Sequence, residues 1–256
     1  SSEVQTWSAT GSDTPGTSIT VTVDNTGTGT AFATVGKTLI GTLFLRNGGS
    51  TTQTTPTGWT LDAEYDSTAG TPIAWVYYRV ATGDANDDMA CAWVGSYNHA
   101  AMVVELDSTS TAGDGVTEYW GANNTSVPIP TVTPTAQPGT AVSFLWAQDQ
   151  QDWDNPTIDN SFGTITSVAT GANGARIGMA TRGYVSTAAL GVTTWETTDI
   201  GEDSGGIVML WPDEATGWSI TNVDLDDTII DAQTAMVWAG AHPLNYRPLV
   251  LSILSR

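Results

Sequence analysis

The strongest constraint on this chain is that its second half restates its first. A strand-like run at Ile40–Asn47 is followed by a Pro/Gly turn and Trp59, then an alternating aromatic run at Ile73–Val80, then Ala90–Val94 and Ala101–Leu106. The same order returns as Val142–Asp149, a loop at Pro156, Ala175–Thr181, Leu190–Trp195 and Gly206–Trp211. Leu43 answers to Leu145, Trp75 to Ile177 and Val103 to Val208, a steady spacing of about a hundred residues. Units that cannot bury an apolar face alone bury it against each other. The pattern predicts an all-β chain: a jelly-roll-like antiparallel β-sandwich formed by two repeated four-strand units. The repeats cover about 36–106 and 139–211 within a sandwich domain spanning 1–212.

Other segments are placed around these units. Thr17–Val23 alternates Ile19, Val21 and Val23 against polar neighbours, the signature of a half-buried strand. The stretch Asp107–Pro138 reads as a connector rich in Ser, Thr, Gly and Pro. Within it Val127, Ile129 and Val132 alternate, and Pro128, Pro130 and Pro134 restrict such a strand to an edge. After the break at Asp213–Gly217, residues 213–256 form a C-terminal β segment, too short for an independent core and expected to pack on the sandwich or on a neighbouring subunit. Asp231–Ala241 is the one place where helix and strand signals compete. Ile229, Ile230, Val237 and Trp238 favour strand there.

Charge excludes several function classes. Seven basic residues face 27 acidic ones, for a net charge of −20, and Lys37 is the only lysine. Such a surface repels phosphate backbones and anionic membranes, so neither nucleic acid nor a membrane is an expected partner. No run approaches the roughly 18 apolar residues that a membrane span needs. Ser1–Gln5 lacks the basic flank and apolar stretch of a signal peptide. Cys91, the only cysteine, lies in a strand pattern as a small hydrophobe, so no disulfide forms within the chain. A disulfide-free β protein fits folding in a reducing cytoplasm.

The chemistry of known catalytic motifs is missing. No phosphate loop, dinucleotide glycine pattern, HExxH or GxSxG elbow occurs, and His99 and His242 stand without a second ligand at metal spacing. Glu105 and Asp107 project from one face of a strand end, as the paired carboxylates of sandwich glycosidases do, but Ser110 occupies the place of the third acid. The pair therefore reads as a strand end running into solvent. Two oxygen-rich loops, Asp84-Ala85-Asn86-Asp87-Asp88 and Asp224-Leu225-Asp226-Asp227, offer calcium candidates at Asp84, Asn86 and Asp88 or at Asp224, Asp226 and Asp227. No other cofactor is expected. Asn123-Asn124-Thr125 has the form of a glycosylation sequon.

Eleven tryptophans carry the best functional hint. Trp7, Trp75, Trp93, Trp195 and Trp238 fall in strand patterns that core or interface packing explains. Trp153 lies among Asp152, Asp154 and Asn155, and Tyr119 and Trp120 precede Asn123. An indole beside Asp and Asn side chains suits either a sugar ring or a subunit interface.

Three stretches resemble a known domain: Gly36-Lys37-Thr38-Leu39-Ile40, Pro56-Thr57-Gly58-Trp59-Thr60-Leu61 and Tyr77-Tyr78-Arg79-Val80-Ala81-Thr82. Together they are similar to a recurrent domain of tailed-bacteriophage virion proteins, found in fibres and other surface-exposed parts of the particle. Lys37 stands where that domain usually has Asp. The run Ile220–Ile230 with Gln233-Thr234 resembles the opening of short Ig-like repeats in similar proteins. The resemblance implies a non-enzymatic structural protein at the virion surface, made in the bacterial cytoplasm as a fibre, spike or decoration subunit. Its partners would be copies of itself and other virion proteins, with host cell-surface polysaccharide as a further ligand. Two other classes stay open: a secreted carbohydrate-binding module or adhesin domain, and a polysaccharide hydrolase acting through Glu105.

Overall fold

The computed structural model describes residues 3–10, 15–24, 31–48, 51–66, 72–121, 125–136, 138–148, 156–169, 174–197, 204–213, 236–237 and 249–250. Two compact units divide the chain, Ser1–Thr216 and Gly217–Arg256, with the break inside the Asp213–Gly217 stretch.

Each copy in the first unit contributes eight strands, twice the expected number. The first copy holds β1 (Glu3–Thr10), β2 (Gly16–Val21), β3 (Thr38–Leu45), β4 (Gln53–Thr54), β5 (Thr60–Asp66), β6 (Ile73–Val80), β7 (Met89–Tyr97) and β8 (His99–Leu106). The second holds β9 (Gly115–Gly121), β10 (Ser126–Ile129), β11 (Gly139–Gln148), β12 (Thr157–Ile158), β13 (Thr166–Ala169), β14 (Ala175–Tyr184), β15 (Thr193–Glu196) and β16 (Ser204–Pro212). The stretch read as a connector supplies β9 and β10, the counterparts of β1 and β2. All pairings are antiparallel. The sheets run β1-β8-β3-β6-β5 with β2-β7-β4 in the first copy, and β9-β16-β11-β14-β13 with β10-β15-β12 in the second.

Burial explains which runs were easy to read. Every residue of β3, β8 and β11 is buried, because each five-stranded sheet is covered on both faces. Strand β7 covers one face only, so Met89, Cys91 and Trp93 point inward while Ala90, Ala92 and Val94 face solvent. Strand β10 lies at a sheet edge, where Pro128 opposes Thr194 and leaves no ladder donor missing from a central strand.

Three cores result where a single shared interior was expected. Trp7, Leu39, Leu43, Trp75, Met89 and Trp93 fill the space between the two sheets of the first copy. Val127, Ile129, Leu145, Tyr184, Trp195 and Leu210 do so in the second. Between the copies, the two five-stranded sheets meet face to face over Ile40, Phe44, Met102, Val104, Phe144, Trp146, Ile177, Met209 and Trp211. Fully burying a Leu, Ile, Phe or Met side chain contributes about 1.5–3 kcal/mol, so this seam is a principal source of stability. The four-layer arrangement corrects the expectation that each repeat lacks a partner sheet of its own. Each has one, and the outward face of its larger sheet forms the seam.

Backbone geometry repeats as well. In the first copy the turn before β5 has Gly58 at φ +79°, with the Trp59 amide donating to the Pro56 carbonyl at 3.0 Å. In the second, Asn160 and Ser161 take positive φ, with the Phe162 amide donating to the Asp159 carbonyl. Arg79 and Arg182 occupy matching positions on β6 and β14, paired with Leu39 and Ala141, and the same register makes Ala74 the counterpart of Ile177 where Trp75 was expected. Gly41 is a glycine because a Cβ there would overlap the Met89 sulfur and crowd the Trp59 ring.

In the second unit, β17 (Met236–Val237) pairs antiparallel with β18 (Leu249–Val250). The strand expected at Asp231–Ala241 coincides with β17 at its centre. The rest of that run and the Ig-like stretch lie outside the described residues.

Candidate functional site

Aromatic and acidic side chains of β5 and β9 come together at one rim of the seam. Both are edge strands of the five-stranded sheets. Tyr65 points into the seam and stacks on Trp146, with ring centroids 5.6 Å apart. Trp120 stacks on the same indole at 5.7 Å and an interplanar angle of 16°. Phe144 adds a third ring at 6.3 Å. Trp146 is fixed from the opposite sheet, its Nε1–H donating to Thr42 Oγ1 at 3.0 Å. Gly205 makes the Trp120 position available, since a Cβ there would overlap the indole.

Acids lie beside this stack, with Asp66 on the face of β5 opposite Tyr65, since it pairs with Ile73 of the first copy's own core. Asp62, Asp66 and Glu118 are all exposed residues of the two edge strands. Asp62 is the extra residue of a bulge between Leu61 and Ala63. Burial of its carboxyl raises the Asp62 pKa. Burial and then the neighbouring Asp66 charge raise that of Glu118. Burial and the Asp62 and Glu118 charges push the Tyr65 hydroxyl upward. Tyr65 Oη and Trp120 Nε1 are both buried atoms without a hydrogen-bond partner.

Of the expected contact residues, the structure describes Tyr119 and Trp120. Their side chains take opposite faces of β9: Tyr119 packs on the core of its own copy and Trp120 on the seam. Trp120 is thus a packing residue with one face engaged by Trp146, and only partly exposed. Asn123, Asp152, Trp153, Asp154 and Asn155 lie outside the described residues, as do Asp224, Asp226, Asp227 and His242.

The acidic loop at 84–88 is organised by the protein's own donors. Asp84 accepts from the Asn86 amide and the Thr82 hydroxyl, holding its carboxyl below the usual range. Asp87 is fully buried, accepts from the Thr82 and Gly83 amides, and pairs with Arg79 at 3.1 Å. Asp88 turns away to accept from the Val23 amide at 2.8 Å. Asp84 and Asp88 are thus each held by donors of the fold, and no group of three or more metal-ligating His, Cys, Asp or Glu side chains is found among the described residues. Arg79 also lies over the Trp59 indole at 5.8 Å.

Glu105 corrects another expectation. It is buried where a solvent-facing strand end was expected, and its Oε2 accepts from the Thr34 amide at 2.8 Å. Asp107 is exposed and pairs with Lys37. The two carboxylates thus have separate structural partners. His99 is buried with Nδ1 2.8 Å from the Tyr97 carbonyl oxygen and its ring against Trp93. Burial pushes the Cys91 thiol up to about 12, so it is an inert packing group. A surface depression of about 120 Å³, lined by Pro15, Arg46, Asn47, Ser96, Tyr97 and Asn98, is well below the volume of ordinary ligand pockets.

Sequence reasoning missed Asp62, Tyr65 and Asp66. Thr60–Asp66 does carry a run of acids around one tyrosine, but its proximity to Glu118 and Trp120 arises only when the copies pack. The fold and this rim define an all-β protein of tandem sandwiches. No family model, no curated protein and no solved structure matches the chain.

Proposed function

We propose that this chain is a non-enzymatic structural protein of a bacteriophage particle, a fibre, spike or decoration subunit displayed on the virion surface. The observation that carries the reading is the use made of buried ionisable groups. Asp87, Glu105 and His99 are each bonded to backbone atoms of adjoining segments, as in a scaffold. The adjacency of first and last strands in each copy, β1 with β8 and β9 with β16, supports a jelly-roll arrangement of the kind common in capsid proteins. The motifs at Gly36–Ile40, Pro56–Leu61 and Tyr77–Thr82 supply the link to phage particles. Host polysaccharide binding would fall to the loop at Trp153 and to Trp120.

Mass spectrometry of phage particles purified from a host that expresses this chain is the direct test. The expected result is the chain present in many copies per particle. Its absence from purified particles, while abundant in the infected-cell lysate, overturns the proposal.

A further inference from the structure

The two copies are related by an approximate twofold axis along the strands, which makes the two rims of the seam equivalent in design. At one rim β1 lies against β13, and at the other Tyr65 of β5 and Trp120 of β9 stack on the same Trp146 indole. Register identifies the counterparts. Phe44, Ala100 and Thr10 form one cross-sheet row, and Trp146, Gly205 and Trp120 form the matching row. Thr10 therefore stands at the place of Trp120, and Ser8 at that of Glu118. By the same reading Val168 stands at the place of Tyr65 and Ala169 at that of Asp66. One rim is small, apolar and hydroxylated; the other is aromatic and acidic.

We propose that the β5/β9 rim binds a basic side chain, arginine or lysine, presented by a polypeptide other than this chain. Two exposed carboxylates, Asp62 and Glu118, lie close enough to act on the Tyr65 hydroxyl and have no ion-pair partner among the described residues. Beneath them lies the Tyr65 hydroxyl, on a residue 6% exposed, with no hydrogen-bond partner. A cationic side chain answers all three groups: it neutralises the two carboxylates, donates to Tyr65 Oη and lies against the Trp120 indole. The Trp120 Nε1–H is a donor without an acceptor. A peptide supplies a backbone carbonyl for it, which a bare metal ion does not. Entry requires rotation of rim side chains, and the exposed acids have that freedom.

Charge favours a cation from another protein. Among the described residues Lys37 is paired with Asp107, Arg79 with Asp87 and Arg182 with Asn160, while Arg46 and Arg176 are also engaged; Arg247 and Arg256 lie outside the described residues. A second copy brings a further net charge of −20. Copies repel, and a basic segment of another protein is drawn in. The inference does not depend on the particle reading, because the rim chemistry is the same in any setting.

The test is titration of the full chain with an end-blocked Gly-Arg-Gly-Arg-Gly peptide at about 150 mM salt, where long-range attraction is screened. The glutamine version of the peptide serves as control. The Asp62→Asn, Glu118→Gln double variant is expected to weaken binding about tenfold, and Tyr65→Phe about threefold. Asp107→Asn with Glu196→Gln removes the same charge elsewhere and is expected to change affinity less than about twofold. Tyr65→Phe removes one oxygen that has no partner in the fold, so its effect separates binding from folding. No binding of the arginine peptide overturns the proposal. So does equal weakening by both double variants, or calcium chloride displacing the peptide from the rim.

Discussion

Asp114 shows how single carboxylates hold this fold together. Its oxygens accept from the Thr135 amide at 2.7 Å, the Ala136 amide at 2.8 Å and the Thr135 hydroxyl. Burial works to raise its pKa, but these hydrogen bonds outweigh burial and hold the carboxyl below its usual value. A carboxyl depressed in the fold stabilises it above the unfolded value near 4, and that stability is lost as pH falls through the folded value. Asp114→Asn is expected to cost about 1 kcal/mol near pH 7, with Tm lower by roughly 2–4 °C. The penalty should shrink as the pH is lowered from 7 through the depressed value of the folded carboxyl, below which the wild-type group is protonated too. Thermal melts of both proteins across that range check this; an equal penalty throughout would show that the ionised form is not what matters. A related logic runs through Asp87, whose buried charge is matched by Arg79 and by backbone donors, so that removing either partner strands the other.

At the scale of elements, the seam makes each copy dependent on the other. A truncated chain ending after residue 112 would expose Phe44, Val76, Met102 and Val104, all buried here. Such a fragment is expected to dimerise or aggregate and to bind a hydrophobic dye, measured by light scattering and fluorescence. A dye-negative monomer would mean that the seam is not a core. The sequence announced the long strands because β3, β6, β11 and β14 are apolar runs whose order repeats. It concealed β4 and β12, each two residues long, and β9 and β10, whose Ser, Thr and Pro content resembles a connector. Their inward residues, Val127 and Ile129, were legible as an alternation at an edge. What could not be read was the second apolar face of each large sheet, since full burial erases the alternation that distinguishes one face from two. The candidate rim was half visible for the same reason. Tyr119 and Trp120 were noticed as a pair, yet strand periodicity sends them to different cores, and Tyr65 comes to Trp120 from the other copy.

For the whole molecule, the balance of charge is the dominant condition. Twenty-seven acidic residues against seven basic ones create self-repulsion that folding concentrates. Adding salt screens it, with a Debye length that falls from about 30 Å at 0.01 M to about 3 Å at 1 M. Tm is therefore expected to rise by several degrees between these concentrations of sodium chloride, read by calorimetry. A flat or falling Tm would mean that the acidic groups are already neutralised in the fold.

Joining the two sandwiches in one chain has an evolutionary consequence. In a pair of identical chains, each substitution at the seam is written on both sides of the axis at once, so a tyrosine at one margin brings a tyrosine at the other. Covalent fusion lifts that rule. Val168 and Tyr65 stand at matching places yet differ, as do Ser8 and Glu118. One margin has been free to specialise while its twin kept the halves together.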